Sequence, residues 1–434
     1  MVPGEAEAEA AKAVLVIGEH IVAVAAAGEL TAPTGALIID GQGFTLMPGL
    51  IDAHIHLNDE TELAGYLAHG VTGVRNMSGY PFHLKLIAQI ELGALLGPDF
   101  ITTGPILNSR GPNETVLQQT VTGYQDARAA VRQQYQRGYR ALKLYSNLTK
   151  EAYQGIVDEA AELGISISGH SPEGVRTAGI PHDKPFDIDW QASLGRGFQT
   201  LEHIETIVWH SLRDDLNEAR MRQVAAQLAK SGEVVTPTLI AHKRRLRIAH
   251  SKGAYLARPG SEAINPLVRF YAKDAEQFWS RMEPSHYEQP HADFFLIATR
   301  LLHEAGVPLI AGSDSGGFGL IPGASLADEL ELLVTAGLSP FEVLTSATRL
   351  SAMALGFEKT GMITPGFRAN LLLIPTDPLQ HIGAVKQPAG VMIGGHWLDE
   401  AALAAMKDAA KDNALNRTFN RSLWRFVEMK AQRL

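Results

Sequence analysis

The chain has 434 residues, no Cys, 45% hydrophobic and 20% charged residues, and a formal net charge of −9. This composition supports a sizeable packed core. It excludes disulfides, thiolate metal sites and Cys nucleophiles, and argues against nucleic acid or an anionic membrane as partner. Any metal must be held by His, Asp, Glu or a modified Lys, and no stretch reaches the ~18 consecutive apolar residues of a membrane span.

The start, Met1 to Ala10, is acidic and Ala-rich and lacks the basic and apolar regions of a signal peptide, so the cytoplasm is the default compartment. Short β segments follow at Ala13–Ile17, His20–Ala25, Gly35–Asp40 and Phe44–Met47. Apolar runs then alternate with helical patterns. The runs are Leu50–His56, Val71–Met77, Phe100–Pro105, Tyr139–Ser146, Ile165–His170, Phe198–His203, Val234–Leu239 and Val307–Asp314. Near-continuous apolar runs suit parallel strands buried on both faces. Thr149 caps a helix with apolar positions at Ala152, Ile156, Ala160 and Leu163, ended by Gly164. A second helix covers His291–Ala305. Ser339-Pro-Phe-Glu342 is a capping box with Pro at the first helical position, opening a helix that runs to Gly356. Eight strand–helix units over roughly 265 residues fit a (β/α)₈ barrel, with an open doubly wound sheet as the rival. The segment from Ile240 to about Gln289 is a long insert holding His242-Lys-Arg-Arg-Leu-Arg247 and an aromatic helix around Phe270–Trp279. Such an insert reads as a lid or substrate wall. Residues 361–398 return to β character, and 400–434 look helical.

His54 and His56 are two apart in a strand, so both imidazoles face one side at its C-terminal end, where barrels carry their active sites. Later runs add Lys143, His170, Glu202-His203 and Asp314 at or near their own C-terminal ends. A buried Lys143 needs a reason. A lowered pKa would let it react with carbon dioxide and bridge two metals as a carbamate; alternatively it binds a substrate carboxylate as a cation. Asp314 has two compatible roles, metal ligand and acceptor of a proton from metal-bound water. His242 and His210 are candidates to line the pocket, as is His182. Arg110 either grips a substrate carboxylate bidentately or forms a structural ion pair. The Lys243–Arg247 run reads as a solvated helix face.

These residues resemble the amidohydrolase superfamily, closest to its imidazolonepropionase-like and Xaa-Pro dipeptidase-like branch, which includes ochratoxin-hydrolysing amidases. The carriers are Pro48–His56, Gly70–Arg75, Lys143–Tyr145, Gly169-His170, Glu202-His203, Thr236–Thr238, Ala311–Asp314, Leu344–Thr348 and Gly361–Asn370. The resemblance implies an α/β fold: a distorted (β/α)₈ TIM barrel over residues 50–360 and a small composite β-sandwich from residues 1–49 and 361–399. It also implies a binuclear centre, usually zinc. His54, His56 and Asp314 would hold one ion, His170 and His203 the other, and carboxylated Lys143 would bridge them. Tyr145 would contact the reacting carbonyl. Relatives often form homo-oligomers. Two departures stand out: one β segment fewer before Ala13, and Asn76 where many relatives have Asp.

The expectation is a metal-dependent hydrolase of an amide or peptide-like C–N bond in a small molecule, such as an N-acyl amino acid, a dipeptide or an aromatic amide like ochratoxin. Metal-activated hydroxide would attack a carbonyl polarised with help from Tyr145 or His242, and Asp314 would shuttle the proton. A lactone, carbamate or phosphotriester would suit the same centre. A non-catalytic scaffold would be expected to lose ligands, yet all six candidates are present.

Overall fold

The computed structural model describes residues 9, 11–111, 118–175, 186–213, 215–285, 288–317, 319–412 and 414–431. Among these, the strands in chain order are β1 (Lys12–Ile17), β2 (His20–Ala26), β3 (Thr45–Pro48), β4 (Leu50–Ile55), β5 (Val71–Asn76), β6 (Asp99–Thr102), β7 (Leu107–Asn108) and β8 (Gln119–Thr120). They continue with β9 (Ala141–Leu144), β10 (Ser166–Gly169), β11 (Phe198–Glu202), β12 (Val234–Thr236), β13 (Leu371–Ile374), β14 (Gly390–Ile393) and β15 (His396–Asp399). Two parallel sheets carry the α/β region: a three-stranded one in order β4-β5-β6, and a six-stranded one in order β12-β11-β10-β9-β7-β8. Helices flank them, so strands such as β4 and β5 are buried along their whole length. This double burial explains their near-continuous apolar sequence.

Seven of the eight apolar runs contain a strand. The eighth, Val307–Asp314, is a correction: it forms only single bridges, Leu309 to Val235 of β12 and Ser315 to Ile55 of β4. Its backbone is nevertheless tied to both neighbours. Pro308 O accepts from Val235 N, Ala311 O accepts from Ala53 N at 2.9 Å, and Asp314 N donates to His54 O at 2.8 Å. The left-handed backbone at Asp314 (φ 57°) breaks any ladder there. Among the described residues the strands therefore form two separate sheets linked by an irregular segment, not one continuous closed ladder.

The helix expected from Ser339 to Gly356 is also interrupted. Its capping box forms as expected, with Glu342 N donating to Ser339 Oγ and Ser339 N to Glu342 Oε2. The chain then splits into Pro340–Ser346 and Arg349–Leu355. The break releases two carbonyls: Ser346 O accepts from Ala311 N and Ala347 O from Ile51 N, at 3.2 and 2.7 Å. A continuous helix would have consumed them internally.

At the chain ends, β1 and β2 form a hairpin, and β15-β14-β13-β3 form a four-stranded antiparallel sheet that joins residues 45–48 to 371–399. The expected strand at Gly35–Asp40 is absent, and so is one at residues 361–366. The hairpin docks through Ile21 N to Phe367 O and Ala369 N to Glu19 O, both 2.8 Å. Ile21, Ala369 and Leu371 share one small buried cluster. The insert folds into helices Leu239–His250 and Pro266–Arg281, and the C-terminal helices are Glu400–Ala409 and Leu415–Ala431. The last of these is tied back to the loop after β4: Arg417 and Arg421 both meet the buried Asp59 carboxylate, at 2.7 and 3.3 Å, and Arg421 also meets Glu60. No helix among the described residues is long and apolar enough to cross a membrane.

Helix Lys150–Leu163 packs closely on helix Tyr124–Gln136 through Gly155, where a Cβ would fall 2.4 Å from Tyr124 O. Helix propensity alone favours Gly155→Ala by up to ~1 kcal/mol, but forced separation of the helices costs about 1–3 kcal/mol. Gly155→Ala is expected to lower the midpoint of chemical denaturation; a rise would contradict this packing.

Candidate metal centre

His54 lies in β4 and His56 follows its last residue. Asp314 comes to them from the irregular segment: His56 Nε2 and His54 Nε2 lie 3.0 and 3.5 Å from Asp314 Oδ1. The ligand atoms of the three residues lie within 4.8 Å of one another. Gly316 allows this closure, because a Cβ there would fall 1.7 Å from the His56 carbonyl oxygen. His170 follows β10 and His203 follows β11. Their rings join the group, with centroids 4.6 Å apart for His54–His203 and 4.7 Å for His170–His203. Tyr145 stacks on His170 at 4.1 Å. Lys143, in β9, is 1% exposed, and its Nζ has no hydrogen-bond partner among the described residues. Three turns at the cluster carry non-glycine residues at positive φ: those of the candidate ligands His203 and Asp314, and that of Thr238, which holds His203. Strain of this kind is tolerated where function requires a side chain to be aimed.

Beneath the cluster lies a buried polar chain. Glu202 Oε2 meets His54 Nδ1 at 2.6 Å, and Glu202 Oε1 accepts from Arg75 Nη2 at 2.7 Å. Arg75 also donates to Ala53 O, Thr200 Oγ1 and Ser168 Oγ. Thr200 Oγ1 donates to Glu202 as well. His203 Nδ1 is held by Thr238 Oγ1 at 2.6 Å.

The electrostatics follow from burial. Burial, then the Lys143 charge, pushes His54 well below the usual imidazole range. Burial and His203 do the same to His170, and burial takes His203 down to about 4. Burial would raise Glu202 and Asp314, but Arg75 and His54 hold Glu202 well below the carboxylate range, and His56 and His54 do so for Asp314. Burial lowers Lys143 to about 8. The imidazoles of His54, His170 and His203 are therefore neutral at neutral pH. With Nδ1 of His54 donating to Glu202, its Nε2 lone pair is left facing Asp314. Ligating histidines typically have such a carboxylate behind them. Neutral imidazoles and a carboxylate, with no thiolate, fit a divalent ion of the zinc type.

The other expected site residues fall elsewhere. His242 sits between two carboxylates, 3.4 Å from Glu205 and 3.0 Å from Glu288; burial opposes its charge, but these bonds raise its pKa. His210 is apart from the cluster, giving Nε2 to Ile188 O and lying edge-on to Trp190. Arg110 is exposed, just past β7. His182 lies outside the described residues. Arg75, Glu202 and Thr238 had no assigned role in the sequence reading. The signal for the first two is a charge inside an apolar run, and for Thr238 its place in the Thr236–Thr238 motif.

The amidohydrolase family model matches residues 45–398. The chain belongs to the amidohydrolase family. Membership places it among hydrolytic enzymes that generally use metals. No curated protein matches the sequence. Among solved structures, a Bifidobacterium longum chain described provisionally as a prolidase is 25% identical, with TM-score 0.64 over 92% of this chain and 93% of that one. A bottromycin amidohydrolase is 23% identical, with TM-score 0.70 over 92% and 85%. The A. niger ochratoxinase is 19% identical, with TM-score 0.60 over 89% and 90%. The last two likenesses concern the fold.

Replacing Arg75 by Met would leave the Glu202 charge buried without its main partner. Breaking such a pair costs about 3–5 kcal/mol. Denaturant unfolding of Arg75→Met is expected to show a loss of that size; a loss below about 1 kcal/mol would contradict the role given to Arg75.

Proposed function

We propose that this amidohydrolase cleaves an amide or peptide-like C–N bond in a small molecule, using a pair of divalent ions, most simply zinc. The observation that carries the reading is the convergence of His54, His56 and Asp314 within 4.8 Å, beside His170, His203 and the buried Lys143. His54, His56 and Asp314 would hold one ion and His170 with His203 the other. Lys143, carboxylated, would bridge them. The low Lys143 pKa supports this, since a neutral amine is the form that reacts with carbon dioxide. On the same reading, the two parallel sheets and the segment 307–314 make up a distorted (β/α)₈ barrel, and the hairpin with the four-stranded sheet makes up the composite sandwich.

Bound ions would supply a nucleophilic water at neutral pH and an electrophile for the carbonyl. The protein supplies the rest. Asp314 accepts the proton from the attacking water and returns it to the leaving nitrogen. Tyr145, raised to about 12 by burial, stays protonated and can donate to the carbonyl oxygen. Its stack on His170 fixes its position. His242, the other expected donor, has its two ring nitrogens against Glu205 and Glu288.

Metal analysis of protein grown with zinc is expected to find about two ions per chain, falling in Lys143→Ala. One ion in wild type, retained in Lys143→Ala, would overturn the bridge. Amide hydrolysis is expected to be lost with a chelator and restored by zinc. Asp314→Asn is expected to lower kcat by roughly 10²–10⁴. Turnover unchanged by both treatments would overturn the mechanism.

A further inference from the structure

The segment after His56, Asn58-Asp-Glu-Thr-Glu62, carries a hydrogen-bond chain that neither the ligand set nor the catalytic roles account for. Asn58 Nδ2 donates to His56 O and to Gly316 O, both at 3.0 Å. The first acceptor belongs to a candidate ligand, and the second lies two residues past Asp314. A carboxamide nitrogen has two N–H groups, and here each goes to one of the two segments that meet at the centre. Among the described residues the strand pairing between these segments is the single bridge of Ile55 to Ser315. Asn58 therefore clamps a junction that no ladder holds.

Asn58 is itself held. Its backbone N–H donates to Glu62 Oε2 at 3.0 Å, and Glu62 Oε1 accepts from Asn265 Nδ2 at 3.1 Å. Asn265 is the N-cap of the insert helix Pro266–Arg281, where its Oδ1 accepts from Leu267 N. Asn265 Nδ2 also donates to Thr418 Oγ1 on the C-terminal helix, at 3.1 Å. Glu62, Asn265 and Thr418 are all buried, so each bond is costly to lose. The chain of bonds runs from the last helix, through the foot of the insert, to the backbone of His56 and the loop after Asp314.

We propose that Asn58 is a positioning residue for the ion that His54, His56 and Asp314 would hold, and that Glu62, Asn265 and Thr418 relay the seating of the C-terminal helix to it. The inference rests on the metal-centre reading and is independent of the bond cleaved. The separation of its ligands decides how well a site fits an ion, and Asn58 sets that separation through the backbones that carry them. Without its two N–H groups, two carbonyls are drawn together with no donor between them, and the segments spread. Hydrogen-bond partners that orient metal ligands typically contribute roughly 10- to 100-fold to affinity.

The test is zinc binding by the metal-free full chain, measured by competition with a chromophoric chelator, in wild type, Asn58→Leu, Thr418→Val and Thr418→Ser. Asn58→Leu keeps the shape and removes both donors. It is expected to weaken one ion of the pair by roughly 10- to 100-fold, and to shift the visible spectrum of the cobalt-loaded protein. Thr418→Val removes the hydroxyl at the far end of the relay. It is expected to weaken the same ion roughly 2- to 30-fold, the range for coupling through packed networks. Thr418→Ser keeps the hydroxyl and should bind zinc like wild type. The denaturation midpoint of each metal-free variant separates positioning from stability: a lowered midpoint with unchanged zinc affinity in Asn58→Leu and Thr418→Val would overturn the proposal. Unchanged affinity in Thr418→Val alone would overturn the relay. Should Asn58→Leu not fold, the Thr418 pair decides: equal affinity in Thr418→Val and Thr418→Ser overturns the proposal, and a loss confined to Thr418→Val supports it. No zinc bound by wild type would remove the metal reading and this inference with it. Equal binding by wild type and every variant would remove this inference alone.

Discussion

The site depends on one guanidinium. Arg75 projects from β5 of the three-stranded sheet and reaches Ser168 of β10 and Thr200 and Glu202 of β11 in the six-stranded sheet. On its own side it holds Ala53 O, one residue before His54. Four donors from a single rigid fork therefore span the interior and tie two sheets that share no ladder. Lys in its place would present a point charge without a plane. Glu202 then passes the constraint upward to His54 Nδ1.

The electrostatic character of the centre follows from the same arrangement. Glu202 carries a full negative charge only because Arg75 and His54 oppose the cost of burying it. With that charge in place, His54 is oriented with one nitrogen spoken for and the other open. The His170 and His203 imidazoles are kept neutral by dry surroundings and by neighbouring positive charge, and Lys143 is brought towards neutrality by burial. A set of bases without protons around a carboxylate is what a divalent ion binds. Positive φ at His203, Thr238 and Asp314 shows that the backbone concedes local comfort to achieve this aim.

Much of this was legible in the sequence, for identifiable reasons. Strands buried on both faces leave a continuous apolar run, so β4, β5, β9, β10 and β11 stood out, and each candidate ligand came in or at the end of such a run. The capping chemistry of Thr149 and Ser339 is local, and both helix starts were placed correctly. What was not legible depends on partners distant in the chain. The two-residue strands β7 and β8 exist only through their neighbours' hydrogen bonds. The irregular course of 307–314 and the break after Ser346 answer each other across the fold, and no periodicity records that. Arg244, 4% exposed, was hidden by its company: amid Lys243, Arg245 and Arg247 it read as a solvated face, although Ile240 and Ile248, one turn away on each side, mark the buried one.

The tether between Asp59 and the C-terminal helix has a consequence for how the protein is made. Asp59 and Arg417 are 358 positions apart. During synthesis the loop that follows His56 leaves the ribosome before Arg417 and Arg421, and its buried carboxylate waits for them until that helix has emerged. The segment that brings Asp314 to His54 and His56 is also late. A nascent chain therefore carries its first two imidazoles through most of translation without the acid that completes them.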